Sequence, residues 1–220
     1  MSKMRPLFNP NPSTTTPTIQ KNEAIASSTK NVYIILTETG TWFSGLIGRF
    51  TGDAMNHASI SFDPSLKEVY SFGRKNLNNP FDGGLVKENM QSSAYRKWSF
   101  AIYKLEVSAA EYDRMQAFVA DMMKEQSKYK YNLLGLFGVL LGKPYAPQDR
   151  FFCSQFVAAV LEQADRILMD NHQALVKPGD FAASPKLQPL YQGKHEGYFN
   201  ELSAAPMAST NFSRTANAFC

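Results

Sequence analysis

An apolar helical pattern begins at a cysteine in the last third of the sequence and limits the folds open to this chain. Its apolar residues recur at intervals of about 3.6, which is the spacing of one buried helix face. These residues are Phe152, Phe156, Val157, Val160, Leu161, Ala164 and Leu168. The pattern predicts a helix with Cys153 in its first turn, where free N–H groups favour a thiolate and can receive an oxyanion. A free cysteine can equally be a small apolar core residue, so this stretch alone leaves both roles open.

The composition is that of a folded domain with polar ends. Of the 220 residues, 44% are hydrophobic and 13% aromatic, which is enough for a packed core. We expect one domain over residues 31–202, between a flexible N-terminal arm at residues 1–30 and a flexible tail at residues 203–220. The formal net charge is +4 without a dense run of basic residues, so we do not expect nucleic-acid binding.

The cysteines and the apolar runs bear on the cellular compartment. Cys153 and Cys220 are too few for a disulfide framework and fit a reducing environment. No apolar run follows Met1 as in a secretory signal, and the longest run, residues 133–141, is too short to span a bilayer. We therefore expect a cytoplasmic protein with no membrane span. The oligomeric state has no signature in the sequence.

Four runs predict strands of a sheet. Residues 32–36 form a buried apolar run, and residues 56–62 and 68–72 are joined by a turn as a hairpin. Residues 98–107 alternate as a further strand. His57 lies on the polar face of the second run.

Helices and loops are predicted between and after these strands. A capping box at residues 108–111 begins a helix, and residues 42–50 have the spacing of a short one. Residues 76–84 read as a loop and residues 176–181 as a turn. The apolar residues 133–141 predict either a core helix or one wall of a pocket.

His57 is the histidine best suited to serve Cys153. A cysteine nucleophile needs a base within hydrogen-bond reach. His172 and His195 lie in polar segments and are expected in solvent, whereas His57 lies on a strand otherwise suited to the core.

Three short motifs then occur in a distinctive order. They are Asn56-His57-Ala58-Ser59-Ile60, then Glu68-Val69-Tyr70-Ser71-Phe72-Gly73-Arg74, then Phe152-Cys153-Ser154-Gln155-Phe156-Val157. This order, with histidine before cysteine, resembles the circularly permuted branch of the NlpC-type papain-like hydrolases, which includes the YiiX-like and lecithin retinol acyltransferase-like families. The resemblance spans about residues 31–190. It implies an α+β, permuted papain-like fold, in which an antiparallel sheet packs against a helix carrying the cysteine at its N-terminus.

The resemblance implies roles for five residues. Cys153 matches the nucleophile and His57 the general base, while the third polar residue of the family falls at or near Ser71. Tyr131 matches a tyrosine that can assist an oxyanion, and Ser154, next to the nucleophile, is assigned to the oxyanion or substrate side. A serine at the third position supports an imidazolium less strongly than a carboxylate would. No metal or cofactor is implied.

The resemblance implies a thiol hydrolase, a peptidase or amidase that works through a thioacyl intermediate. One alternative is a thiol acyltransferase or lipid deacylase, which the apolar residues 133–141 favour. Another is a non-catalytic binding module with a weakened triad, which Ser71 favours. The expected partner is a peptide-like or acyl-bearing small molecule.

Overall fold

The computed structural model describes residues 29–38, 55–74, 83–165 and 168–204. The predicted helix at residues 42–50, most of the predicted loop at 76–84 and nearly all of both predicted arms lie outside the described residues.

Six antiparallel strands form one sheet in the order β4-β3-β2-β1-β5-β8. The strands of this sheet are β1 (Thr29–Glu38), β2 (His57–Ser61), β3 (Val69–Arg74), β4 (Gly83–Glu88), β5 (Ser99–Ser108) and β8 (Gln188–Lys194). Two short strands, β6 (Lys130–Tyr131) and β7 (Arg150–Phe151), pair in parallel beside it. The antiparallel sheet and the α+β class are as the sequence predicts.

Five α-helices are described. They are α1 (Ala109–Lys124), α2 (Leu133–Leu140), α3 (Cys153–Leu161), α4 (Pro178–Ala183) and α5 (His195–Ala204). The capping box is confirmed: the Glu111 backbone N–H donates to the Ser108 hydroxyl at 3.2 Å, and the Glu111 carboxylate accepts from the Ser108 N–H at 2.8 Å. These paired bonds satisfy free N–H groups and fix the start of α1.

Both faces of the sheet are covered, which explains the uninterrupted apolar run in β1. On one face, Ile34 and Leu36 pack with residues of α1 and α3, among them Phe156. On the other face, Tyr33 and Ile35 pack in a second core with Tyr198 of α5. Alternate residues of a strand point to opposite faces, so both sets must be apolar.

The structure corrects three predictions about secondary structure. Strand β4 was not predicted, because its sequence Gly-Gly-Leu-Val-Lys-Glu is poor in β-branched and aromatic residues. Helix α4 begins at Pro178 within the predicted turn, since Pro fits the first turn of a helix. Helix α3 ends at Leu161 and not near Leu168, and all of its residues are buried, so it is a central helix without a solvent face.

Gly138 allows the turn after α2 to close onto the helix. A Cβ at this position would stand 2.5 Å from the Lys143 backbone oxygen, which is closer than real Cβ contacts. We therefore expect Gly138→Ala to lower the free energy of unfolding by about 1–3 kcal/mol, measured by urea denaturation. Gly73→Ala is the matched control, because its Cβ would meet only ordinary contacts at 3.6 Å or more. Equal stabilities of the two variants would contradict the close packing of this turn.

Candidate active site

Cys153 is the first residue of α3, as the sequence predicts. The helix begins here because the Gln155 side-chain oxygen accepts from the Phe152 backbone N–H at 3.4 Å, which occupies a donor that the helix leaves free. The cysteine is only 6% exposed. It therefore lies at the helix N-terminus but inside the protein.

Two opposing effects act on the thiol. Burial raises the pKa of Cys153, while backbone N–H groups of Ala58, Ser154 and Cys153 itself act to lower it. Burial is the larger effect, because it removes a thiolate from water. The expectation that the helix start favours a thiolate is therefore only partly met: the N–H groups are in place, but the net direction is upward.

The raised pKa predicts a slow thiol. Cys153 should react with iodoacetamide only as the pH rises above the ordinary thiol value of about 8.5, because the buried thiol stays protonated below it. The measurement is the pH profile of alkylation in a Cys220→Ser chain, where Cys153 is the sole cysteine. The same chain unfolded in urea should be alkylated faster near neutral pH. Rapid alkylation of the folded chain well below pH 8 would mean that the N–H groups outweigh burial.

Helix α3 brings the thiol against the strand that carries His57. The sulfur contacts the backbone of Ala58, the residue after His57, and α3 packs on β2 and β3. Strand β2 pairs with β3 only at Ile60 and Ser61, so the start of β2, where His57 lies, is not paired with β3. His57 itself is paired with Thr37 of β1 and is half-buried. Strand alternation puts its side chain on the sheet face of Ser71, whereas Ala58 lies on the face that α3 covers.

Ser71 lies close to His57. The Ser71 hydroxyl and the His57 Cε1 atom lie 3.6 and 3.9 Å from the point where a Cβ on Gly73 would stand. Ser71 is completely buried, and its hydroxyl has no hydrogen bond of good geometry within the described part of the chain. Leaving a buried hydroxyl unpaired costs free energy, so we expect the Ser71 hydroxyl to bind a polar neighbour.

A carboxyl group lies behind Ser71 that the sequence analysis did not single out. Burial raises the pKa of Glu88, while contacts with Tyr95 and the Ser71 hydroxyl act to lower it. In the register of β3 and β4, Glu88 is opposite Val69, two residues from Ser71 on the same sheet face. Because β4 was not predicted, the sequence offered no reason to place Glu88 beside Ser71.

A narrow cleft gives access to the thiol. Asn56, Tyr131, Leu136, Val139, Cys153 and Ser154 are among its lining residues. The space open to the centre of a water molecule is about 20 Å³, roughly enough for one water. The structure therefore brings Tyr131 and Ser154 to the same cleft as Cys153, with one wall formed by α2.

Ser154 has a defined structural contact. Its hydroxyl donates to the Val176 backbone oxygen at 2.7 Å, and the residue is buried. This bond ties the start of α3 to the segment before α4. The hydroxyl proton is thus engaged in the protein, while the Ser154 backbone N–H is directed at the sulfur.

Asn132 links the apolar helix to the cysteine helix. Its side-chain oxygen accepts from the Gly135 N–H at 2.9 Å and so caps α2. Its amide nitrogen donates to the Tyr145 backbone oxygen at 2.9 Å and to the Gln155 side-chain oxygen at 3.2 Å. The signal for this cap was present, because Asn directly before an apolar run is typical of an N-cap. The hydrogen bond to Gln155 joins two helices, so no pattern among neighbouring residues predicts it.

The other two histidines have separate positions. His172 is exposed, and its Nδ1 accepts from the Ala174 N–H at 3.1 Å. The expectation that His195 lies in solvent is wrong: it is 5% exposed, and its Nε2 is 2.7 Å from the Met90 oxygen. His195 starts α5 and packs between Phe100 and Phe199, since its imidazole has an aromatic surface as well as polar atoms.

Within the described residues, no three His, Cys, Asp or Glu side chains are grouped so that they could hold a metal ion. In that part of the chain, no helix is both long enough and apolar enough to cross a membrane. No model of a known protein family matches the sequence, and no curated protein matches it either.

Proposed function

We propose that the chain is a permuted papain-like cysteine hydrolase that cleaves amide bonds through a thioacyl intermediate at Cys153. The observation that carries the proposal is the thiol at the start of α3, with N–H donors around it and the His57 strand against it. Acyl transfer requires a nucleophile, a base and N–H donors for an oxyanion, and the candidate base is His57, the residue before the Ala58 that the sulfur contacts.

The raised pKa of the thiol sets the first step. A protonated thiol is a weak nucleophile, so His57 takes the proton as the sulfur attacks the substrate carbonyl carbon. A carbon–sulfur bond forms, and the N–H groups of Cys153 and Ser154 receive the negative oxygen. Tyr131 lines the same cleft, and it assists this oxygen.

The later steps return the enzyme to its starting state. The His57 imidazolium gives its proton to the departing amine, the carbon–nitrogen bond breaks, and a thioester remains on Cys153. Water then attacks the thioester and gives a proton to His57, which passes it to the sulfur as the carbon–sulfur bond breaks. Ser71, near the ring, orients the imidazole, and Glu88 behind Ser71 adds the carboxyl that the triad itself lacks.

A second function has a specific observation in its favour. Leu136 and Val139 of α2 form an apolar wall of the cleft beside Cys153. Such a wall suits an aliphatic acyl chain, as in a thiol acyltransferase or lipid deacylase, where an alcohol or amine can replace water as the acceptor.

The test is to trap the intermediate and weigh it. The protein is incubated with a pool of peptides and acyl lipids, quenched in acid and analysed by mass spectrometry for a thioester on Cys153. A peptidyl adduct supports the hydrolase, and a fatty acyl adduct supports the second function. An unmodified Cys153 with every substrate in the pool would favour the non-catalytic binding module.

A further inference from the structure

In helix α2 the small residues are buried and large apolar residues are exposed, which is the reverse of an ordinary surface helix. Its buried residues are the glycines Gly135 and Gly138. Four large apolar side chains, three in α2 and one directly after it, face solvent instead. They are Leu134, Phe137, Leu140 and Leu141, with exposures from 45% to 72%. A surface helix normally buries such side chains in the core, so their exposure indicates a surface that binds a partner.

The exposed apolar side chains of the described chain are concentrated here. Within the described residues, all five exposed large hydrophobic residues lie between residues 134 and 145, and the fifth is Tyr145. We call these five residues the α2 face. Single exposed leucines are common on proteins, but a contiguous group of this kind marks a binding surface.

The charged residues nearest to α2 in the sequence, on either side of it, are lysines. Residues 130–148 contain Lys130 and Lys143 and no acidic residue. Lys130 and Lys143 are exposed, and neither has a carboxylate partner within the described residues. Lys177 lines the cleft itself. Apolar side chains flanked by unpaired lysines complement an anionic lipid surface, in which acyl chains lie beneath negative headgroups.

The α2 face is continuous with the cleft. Leu136 and Val139 line the cleft, while Leu134 and Phe137 on the same helix lie outside it. Asn132 fixes this helix to Gln155 of the cysteine helix and to the Tyr145 segment. A bilayer in contact with the α2 face would therefore lie at the mouth that leads to Cys153.

We propose that the α2 face docks the protein onto an anionic lipid bilayer and presents the Cys153 cleft to acyl-bearing molecules held in that bilayer. The second part rests on the second proposed function, a thiol acyltransferase or lipid deacylase, whereas the docking itself does not. The protein would lie on the membrane surface through one short helix and the loop after it.

The test measures binding and chemistry separately. The full chain is floated with vesicles of phosphatidylcholine containing about 30% phosphatidylserine, and with pure phosphatidylcholine vesicles. We expect binding to the anionic vesicles that weakens in about 0.5 M salt. Leu134→Ser with Phe137→Ser should weaken this binding at least about tenfold. The control Leu134→Met with Phe137→Leu keeps the surface apolar and should bind like the original chain.

A charge pair of variants completes the test. Lys130→Glu with Lys143→Glu should reduce binding to anionic vesicles, whereas Lys67→Glu, in the turn at the far end of β2, should not. Binding that is absent, or equal for the serine and the apolar variants, overturns the docking. Dimers that dissociate on the Leu134→Ser and Phe137→Ser changes also overturn it, because a second copy would then cover the face. Acylation of Cys153 by a soluble ester reports the proposed function independently in every variant.

Discussion

Replacing Cys153 by Ala is expected to remove all acylation of the protein. The original chain should release a burst of p-nitrophenol from p-nitrophenyl acetate as the sulfur becomes acylated, and the variant should release none. The loss should be at least about a thousandfold, because no other described group can form the thioester. The side chain is small and buried, so Ala leaves the packing of α3 nearly unchanged. Cys153→Ser is the second variant, since it replaces the thiol by a hydroxyl of similar shape.

The second cysteine provides the matched control. Cys220→Ser removes the other thiol of the sequence and leaves every cleft residue unsubstituted, so its burst should equal that of the original chain. Intact mass after the burst should show one acetyl group on the control and none on Cys153→Ala. A burst that survives in Cys153→Ala would assign the acylation to another group and reject the proposed nucleophile.

The parts of the fold that could be predicted from the sequence have strong local signals. The run in β1, the alternation in β2 and the capping box at Ser108 each determine their element within a few residues. The position of Cys153 at the start of α3 followed from the apolar spacing behind it. These signals come from neighbouring residues, which is why they can be read without tertiary structure.

The remaining features depend on contacts between distant segments. Strand β4 exists because β3 offers it an edge, and its own sequence has low strand propensity. Only that pairing places Glu88 beside Ser71. The thiol pKa also depends on distant contacts. The start of α3, which lowers the pKa, was predictable, but the burial that raises it more strongly comes from packing of α3 against the sheet. His195 was misplaced because its burial depends on Met90, more than a hundred residues earlier.

The proximity of Cys153 and Ala58 raises the question of whether His57 acts as the base. His57→Gln keeps a polar side chain at the start of β2 and removes the group that accepts the thiol proton. Because burial holds the thiol protonated, the acylation rate near neutral pH should fall about a hundredfold to ten-thousandfold. Ser71→Ala should cause a smaller loss, since Ser71 acts only through the imidazole.

The pH profile and a second histidine decide between a base and a structural residue. If His57 removes the proton, the loss in His57→Gln should shrink as the pH rises toward the thiol pKa, because hydroxide then generates the thiolate. A variant that is merely misfolded would stay inactive at every pH. His172→Gln is the control, since His172 is exposed and its ring accepts a hydrogen bond from Ala174 within its own turn. Should His57→Gln acylate as fast as His172→Gln near neutral pH, the thiol must lose its proton by another route, and the Cys–His pairing would be rejected.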